Sequence, residues 1–306
     1  PVLSAGRHIT GWSVRDDHWV VTLPEVASGD WNFIQLFVNG KRRLRPRLPR
    51  AGYYYAAAQT PSTPQSKEGA HDRFVYMSDE LKSRWHNLSN VEVHFLHEWS
   101  TSRLPLLDVD EESKIATVAG GSTRHAIVRG TRYLVENVKE DQIPGEWYLD
   151  RKNGELTYYP LPGEDPRTAV VIAPYLDRLM EIKGDVAAKA WGENLSFVGI
   201  TFSHCNWTTP PLGNSIPQAE SDMPAGVIVE GARHCAFRQC HFTLMGGYCL
   251  ELGDGCQNDV VESCTFTDVG AGGVRIGPTR TDDQDVVASH NTVRDCLLAH
   301  LGRDHP

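Results

Sequence analysis

From about residue 179 the chain repeats itself every twenty-odd residues, and few folds can satisfy that pattern. Three segments align: GVIVEGARHCAFRQCHFTLMGG, YCLELGDGCQNDVVESCTFTDVGAGG and VRIGPTRTDDQDVVASHNTVRDCLLAHLG. An earlier partial copy is LMEIKG followed by NLSFVGITFSHCNW. Each copy has short apolar stretches separated by Gly, Asn and Asp, which is how a solenoid reads in sequence. Matching Phe242 with Phe266 gives a spacing of 24, and matching Phe266 with Val293 gives 27. The extra residues fall in PTRTDD, which this alignment makes an outward loop.

Stacked in that register, the copies form columns. Phe202, Phe242, Phe266 and Val293 make one, Ile200, Cys240, Cys264 and Asn291 a second, and Ile182, Val229, Leu252 and Ile276 a third. An Asn in an inward column is expected to bond backbone groups at a bend. In a solenoid each coil buries its inward residues only against its neighbours, so like residues must stack. The expected fold is all-β, a right-handed parallel β-helix. The competing leucine-rich repeat is excluded by the absence of an LxxLxLxxN pattern.

Before the repeats the grammar differs. FIQLFVNGKRRLR and GEWYLDRKNGELTYYPL each place two strand-like runs around Asn-Gly (Asn39-Gly40 and Asn153-Gly154), a strong hairpin signal. VEVHFLHEW alternates like a strand, and DELKSRWHNL is compatible with a short helix. The expected division is residues 1–12 as the end of an N-terminal β-helix coil, 13–178 as an inserted β-sandwich, and 179–306 as further β-helix coils. Neither end reads as a natural terminus, so a piece of a longer protein is expected.

Composition narrows the partners. The net charge of −9 argues against a nucleic-acid partner, and no apolar run reaches the ~18 residues of a membrane helix. Oligomeric state is not readable. The seven cysteines are odd in number and show no CxxC spacing, so buried free thiols are expected rather than a metal or a disulfide framework. No cofactor is called for.

In this register Asp268 and Asp295 lie two residues past Phe266 and Val293, one coil apart in one column. Adjacent parallel strands are about 4.8 Å apart, and a retaining glycosidase needs two carboxyls at about 5–5.5 Å. The column runs back to His204, interrupted by Leu244. Glu251 and Arg275 form a neighbouring outward column, and His300 falls near the turn at Gly273. The glycines after Asp268 are expected to turn tightly and leave room for a ligand. Alternatives stay open. An Asp before a glycine turn commonly caps it, and Glu251 with Arg275 can be a structural cross-strand pair. Asp282, Asp283 and Asp285 lack the spacing of a Ca²⁺ loop. Arg45 belongs to an exposed hairpin or to a substrate face, and Trp99 to a sugar platform or to the core.

GDGCQNDVVESCTFTDVGAGGVRIG with NTVRDCLLAHLG resembles the bacterial right-handed β-helix proteins around glycoside hydrolase family 141. QLFVNGKRRLRPRLP and PGEWYLDRKNGELTYYP resemble the β-sandwich inserted in that group and in the similar family 120. The resemblance implies a secreted or periplasmic protein that hydrolyses glycans by fucosidase, xylanase or xylosidase chemistry. It implies a catalytic acid pair, matched best by Asp268 and Asp295; the residue pattern itself offers Glu251, Arg275, His300, His204, Trp99 and Arg45 as expected substrate contacts. The rival expectations are a polysaccharide lyase and a non-catalytic glycan-binding module.

Overall fold

A computed structural model describes residues 1–66, 69–123, 125–215, 218–278 and 283–305. The chain forms two compact units: Pro1–His8, Ile172–Trp207 and Met223–Pro306 in the first, Ile9–Val171 and Thr208–Asp222 in the second. Residues 208–222, placed with the repeats by the sequence division, belong to the second unit.

The first unit is a stack of parallel ladders. One consists of Val2–Ser4, Thr201–Ser203, His241–Thr243, Thr265–Thr267 and Leu297–Ala299. A second joins Met180–Lys183, Ala225–Glu230, Tyr248–Leu252 and Val274–Ile276. A third joins Ser196–Val198, Ala236–Arg238, Val260–Glu262 and Thr292–Arg294. Every pairing within them is parallel.

Many of these strands are three residues long because a left-handed residue turns the chain at each end. One such column is Gly199, Gln239, Ser263 and Asp295; another is His204, Leu244, Asp268 and His300. The middle residue of each short strand in the first ladder points inward. Phe202, Phe242 and Phe266 are fully buried, with successive ring centroids 4.8 Å apart. That distance equals the strand spacing, so the backbone ladder itself sets the ring stack.

The register corrects two expected columns. Phe266 pairs with Leu298, and Val293 pairs with Val261 in the third ladder. Cys264 is therefore level with Cys296, not Asn291, since Thr265 pairs with Leu297. The expectation failed because each coil carries the same short phrase twice, five residues apart. Val261–Ser263 and Phe266–Asp268 both read as an inward apolar residue followed two positions later by a left-handed corner. The column Ile182, Val229, Leu252 and Ile276 is as expected. Asn291 does satisfy backbone: its Oδ1 accepts from Asp259 N at 2.9 Å and its Nδ2 donates to Cys256 O at 2.8 Å.

All seven cysteines are free, six of them buried. Burial pushes the Cys205 and Cys256 thiols up to about 12, which leaves them as packing groups rather than nucleophiles.

The second unit is antiparallel. Its main sheet is ordered Arg47–Leu48, Arg132–Glu136, Glu92–Leu96, Thr101–Asp110, Ile115–Ser122, His71–Val75 and Ala58–Gln59. Its core gathers Phe74, Phe95 and Tyr133, whose rings meet at 5.0–5.9 Å. Another sheet runs Trp147–Asp150, Glu155–Tyr158, His18–Thr22 and Ser13–Arg15. Asn39 and Gly40 are both left-handed and join Leu36–Val38 to Lys41–Arg43, as the Asn-Gly signal requires. At the second hairpin only Gly154 is left-handed, and Asp150 O accepts its N–H at 2.8 Å. The stretch DELKSRWHNL forms turns, with a single 3₁₀ turn at Leu88–Asn90 in place of the expected helix.

Candidate active site

Asp268 occupies a corner of the first unit with φ +52°, stacked between Leu244 and His300. Leu244 N donates to Asp268 O at 2.9 Å, and Val269 N donates to His300 O at 3.2 Å. Asp tolerates the left-handed region better than most residues, because its short side chain can bond locally. The Asp268 side chain is 29% exposed, with Arg303 Nε 3.7 Å from Oδ1. Arg303 belongs to a strap, residues 302–305, whose N–H groups donate to carbonyls of Val269, Gly270 and Ala271. His305 is buried there, edge-on to Trp207 at 4.2 Å. Further down the column, His204 is buried and its Nδ1 lies 2.9 Å from Ser4 Oγ.

The glycines after Asp268 serve close approach rather than tight turning. None of Gly270, Gly272 and Gly273 has a positive φ; the left-handed residue is Asp268 itself. A Cβ on Gly270 would meet Gly246 O at 2.0 Å, and one on Gly272 would meet the Tyr248 ring at 2.1 Å. The room they leave is filled by the protein's own groups.

Asp295 is not in that column. It stands at the corner level with Ser263, whose N–H donates to Arg294 O at 3.1 Å. A three-residue strand lies between the two columns, roughly 10 Å at ~3.3 Å per residue. The one-strand spacing on which the Asp268–Asp295 pair rested is therefore absent. Asp295 is exposed, as is His300.

Glu251 and Arg275 are cross-strand partners, as expected, with Arg275 Nη2 2.5 Å from Glu251 Oε2. Arg275 Nη1 also donates to Met223 O at 2.6 Å, and its guanidinium lies 5.6 Å from the Tyr248 ring centroid. Thus Tyr248, which abuts Gly272, links the ion pair to the loop that follows Asp268.

Trp99 and Arg45 lie in the second unit. The strand expected to run to Trp99 ends at Leu96, and the indole is 58% exposed in the turn beyond it. It meets His125 edge-on at 5.5 Å, and His125 stacks on His97 at 5.0 Å. These rings line a cleft of about 660 Å³ together with Glu98, Arg129 and Arg132. Burial, reinforced by His125, lowers the His97 pKa to about 4, so His97 is neutral near pH 7. Sequence spacing did not single out His97 and His125, because strand pairing brings them together.

Arg45 is buried, which corrects the exposed-hairpin expectation. Its Nη2 donates to Glu92 Oε2 at 2.6 Å and to Glu136 Oε2 at 3.0 Å. Arg103 Nη1 lies 3.2 Å from the same Glu92 oxygen. Burial would raise the Glu92 pKa, but Arg45, His94 and Arg103 outweigh it and hold the carboxyl well below its usual range. Glu92, His94 and Glu136 have metal-ligand spacing. Two guanidiniums already occupy those carboxylate oxygens, so the cluster is an ion-pair knot in which a cation would meet like charge.

Asp282 lies outside the described residues. Asp283 Oδ1 accepts from Asp285 N at 2.9 Å, while Asp285 pairs with Lys189 at 2.6 Å, so these acids are engaged within the loop.

No family model matches the chain, and no curated protein matches it. A solved structure titled "Glycoside hydrolase" shares its fold, with a TM-score of 0.80 and 21% identity over 99% of this chain and 60% of the other. The chain thus spans about three fifths of that structure. A second, "The complex structure of XylC with xylose", aligns with a TM-score of 0.46 and 11% identity, covering 100% of this chain and 44% of that one.

Proposed function

We propose that this chain is part of a glycoside hydrolase that cleaves O-glycosidic bonds in plant or algal polysaccharide-derived glycans. In this reading the stacked ladders are coils of a right-handed parallel β-helix, the second unit is a β-sandwich insert, and the protein is secreted or periplasmic. The fold shared with a structure titled as a glycoside hydrolase supports the carbohydrate-active reading. The observation that carries it is Asp268: a partly exposed carboxylate on a corner column, next to His300 and 3.7 Å from a guanidinium.

Asp268 supplies one of the two carboxyls such hydrolysis needs. Asp295 is too far along the coil to be its one-strand partner, so the second carboxyl is sought on the same face, beginning with Glu251. In this reading the Asp268 carboxyl attacks, or stabilises, a cationic anomeric carbon, with Arg303 Nε at 3.7 Å from Oδ1 orienting it.

The test is a panel of aryl fucosides, xylosides and related glycosides, assayed with wild type and Asp268→Gly in the presence of azide. Turnover that is lost on substitution and returns as a glycosyl azide supports a carboxylate at the anomeric carbon. Hydrolysis that survives substitution removes Asp268 from the reaction. The glycan-binding reading is favoured by the exposed Trp99 in its cleft. It expects sugar binding with no product from any glycoside.

A further inference from the structure

Within the second unit, the ion-pair knot sits beside a cleft of about 400 Å³ whose lining includes Asn32, Glu92, Arg151, Thr208 and Thr209. The charges do not balance there. Arg45 and Arg103 are matched by Glu92 and Glu136, through contacts of 2.6–3.8 Å. Burial and the Arg103 charge keep His94 neutral. Arg151 is then left over as an extra positive charge.

Arg151 is positioned but not neutralised. Its Nε donates to Asn90 Oδ1 at 2.7 Å and its Nη2 to Ser89 O at 3.0 Å. Among the described residues no carboxylate lies within 4.0 Å of it and no group bonds Nη1. Arginine does not shed its charge near neutral pH, so the excess must be met by solvent or by a ligand. A second feature of the same cleft points to a ligand. Thr209 is 8% exposed, and among the described residues its Oγ1, a donor and acceptor, has no partner. A buried hydroxyl left unbonded is costly, and a ligand oxygen would satisfy it.

We propose that this cleft binds an acidic sugar, with the uronate carboxylate on Arg151 Nη1 and a ring hydroxyl on Thr209 Oγ1. The positive excess takes one carboxylate, and a charge-assisted bond to guanidinium is among the stronger polar contacts available to it. The sugar half of the assignment rests on the carbohydrate-active reading above. The site lies in the second unit and uses none of the residues given catalytic roles.

Calorimetric titration of the chain with trigalacturonate, its methyl ester, and acetate tests this directly. The acid is expected to bind, with the ester weaker by about tenfold or more, the loss of one charge-assisted hydrogen bond. Arg151→Met should abolish the difference between acid and ester, and Thr209→Val should weaken both. Because Arg151 also pins Ser89 and Asn90, its variant is read only if its circular dichroism and melting match wild type. Otherwise the acid–ester comparison and Thr209→Val decide. Equal binding of acid and ester, or no binding of the acid, overturns the proposal, and acetate binding as tightly as trigalacturonate overturns the sugar assignment. The two readings fail separately. Cleavage of neutral glycosides without uronate binding sinks only this inference, and uronate binding without any turnover sinks only the hydrolase.

Discussion

Phe242 and Phe266 lie with ring centroids 4.8 Å apart and planes 6° apart, both fully buried in consecutive strands of one ladder. Phe242 is packed between the Phe202 and Phe266 rings, and Phe266 between the Phe242 ring and Leu298, so neither ring is replaceable in isolation. Phe266→Ala should destabilise the chain by about 3–5 kcal/mol, because the stacked neighbours cannot collapse into the space. Leu298, next in the column, is 46% exposed, and Leu298→Ala should cost less than about 1 kcal/mol. Urea denaturation of both variants measures the contrast. Equal losses would show that the stack is not a rigid column.

The same register separates the two aspartates. Asp268 stacks on His300 and Asp295 on Ser263, so the two substitutions should behave differently. Asp268→Asn keeps a residue that tolerates φ +52°, and should lower kcat by about 10²–10⁴-fold. Asp295→Asn should leave turnover unchanged. Steady-state kinetics on whichever glycoside the panel identifies gives the answer. A large loss at Asp295 would mean that the acids meet through side-chain reach rather than through register.

Much of this was legible in the residues. The parallel stacking of Ile182, Val229, Leu252 and Ile276, the Glu251–Arg275 pair and the Asn39-Gly40 hairpin all follow from period and turn chemistry. The placement of Asp295 did not, because Val293–Asp295 and Leu298–His300 fit the preceding coil equally well. Nothing local distinguishes two copies of one phrase five residues apart; only the pairing of a whole coil does. The Arg45 knot was hidden for another reason. A run of Lys and Arg looks solvated in sequence, whereas its acids arrive from strands 47 and 91 residues away. Arg303, Thr209 and Arg151 likewise gain meaning only from neighbours that the chain brings together late.

Asp259 offers a test by pH. It is 2% exposed, and burial raises its pKa to about 6, although Cys235 N donates to it at 2.8 Å. A carboxyl raised in the folded state stabilises most below its ordinary value near 4, and that contribution is lost as pH rises through about 6. Between those limits the loss is on the order of 3 kcal/mol. Asp259→Asn has the same shape and no titration, so its melting temperature should lack this decline between pH 4 and 7. If wild type and variant run parallel across that range, Asp259 is not the buried acid described.

Trp99 is exposed beside His125, an arrangement that leaves one indole face for stacking. Trp99→Ala should weaken oligosaccharide binding by about 0.5–1.5 kcal/mol, roughly two- to tenfold, without changing stability. Tryptophan fluorescence titration reads the affinity, and thermal melting reads the fold. A drop in melting temperature with affinity unchanged would assign Trp99 to packing instead.

Glu92 carries the knot at the centre of the second unit, where Arg45 and Arg103 both reach its Oε2. Removing one member of a buried ionic group leaves the others short of charge, so Glu92→Gln should cost about 3–5 kcal/mol. The acid limb adds an independent reading. Burial works to raise the Glu136 pKa, but His94, Arg103 and Arg45 outweigh it and bring it to about 2. A carboxyl depressed in the folded state stabilises above its ordinary value near 4.5, and that support is lost as pH falls toward 2. Wild type should therefore lose stability steeply between about pH 4.5 and 2. Glu92→Gln, starting lower, should lose less over the same interval, because one of the two depressed carboxyls is gone. Parallel acid limbs would show that the knot does not set the acid stability of this unit.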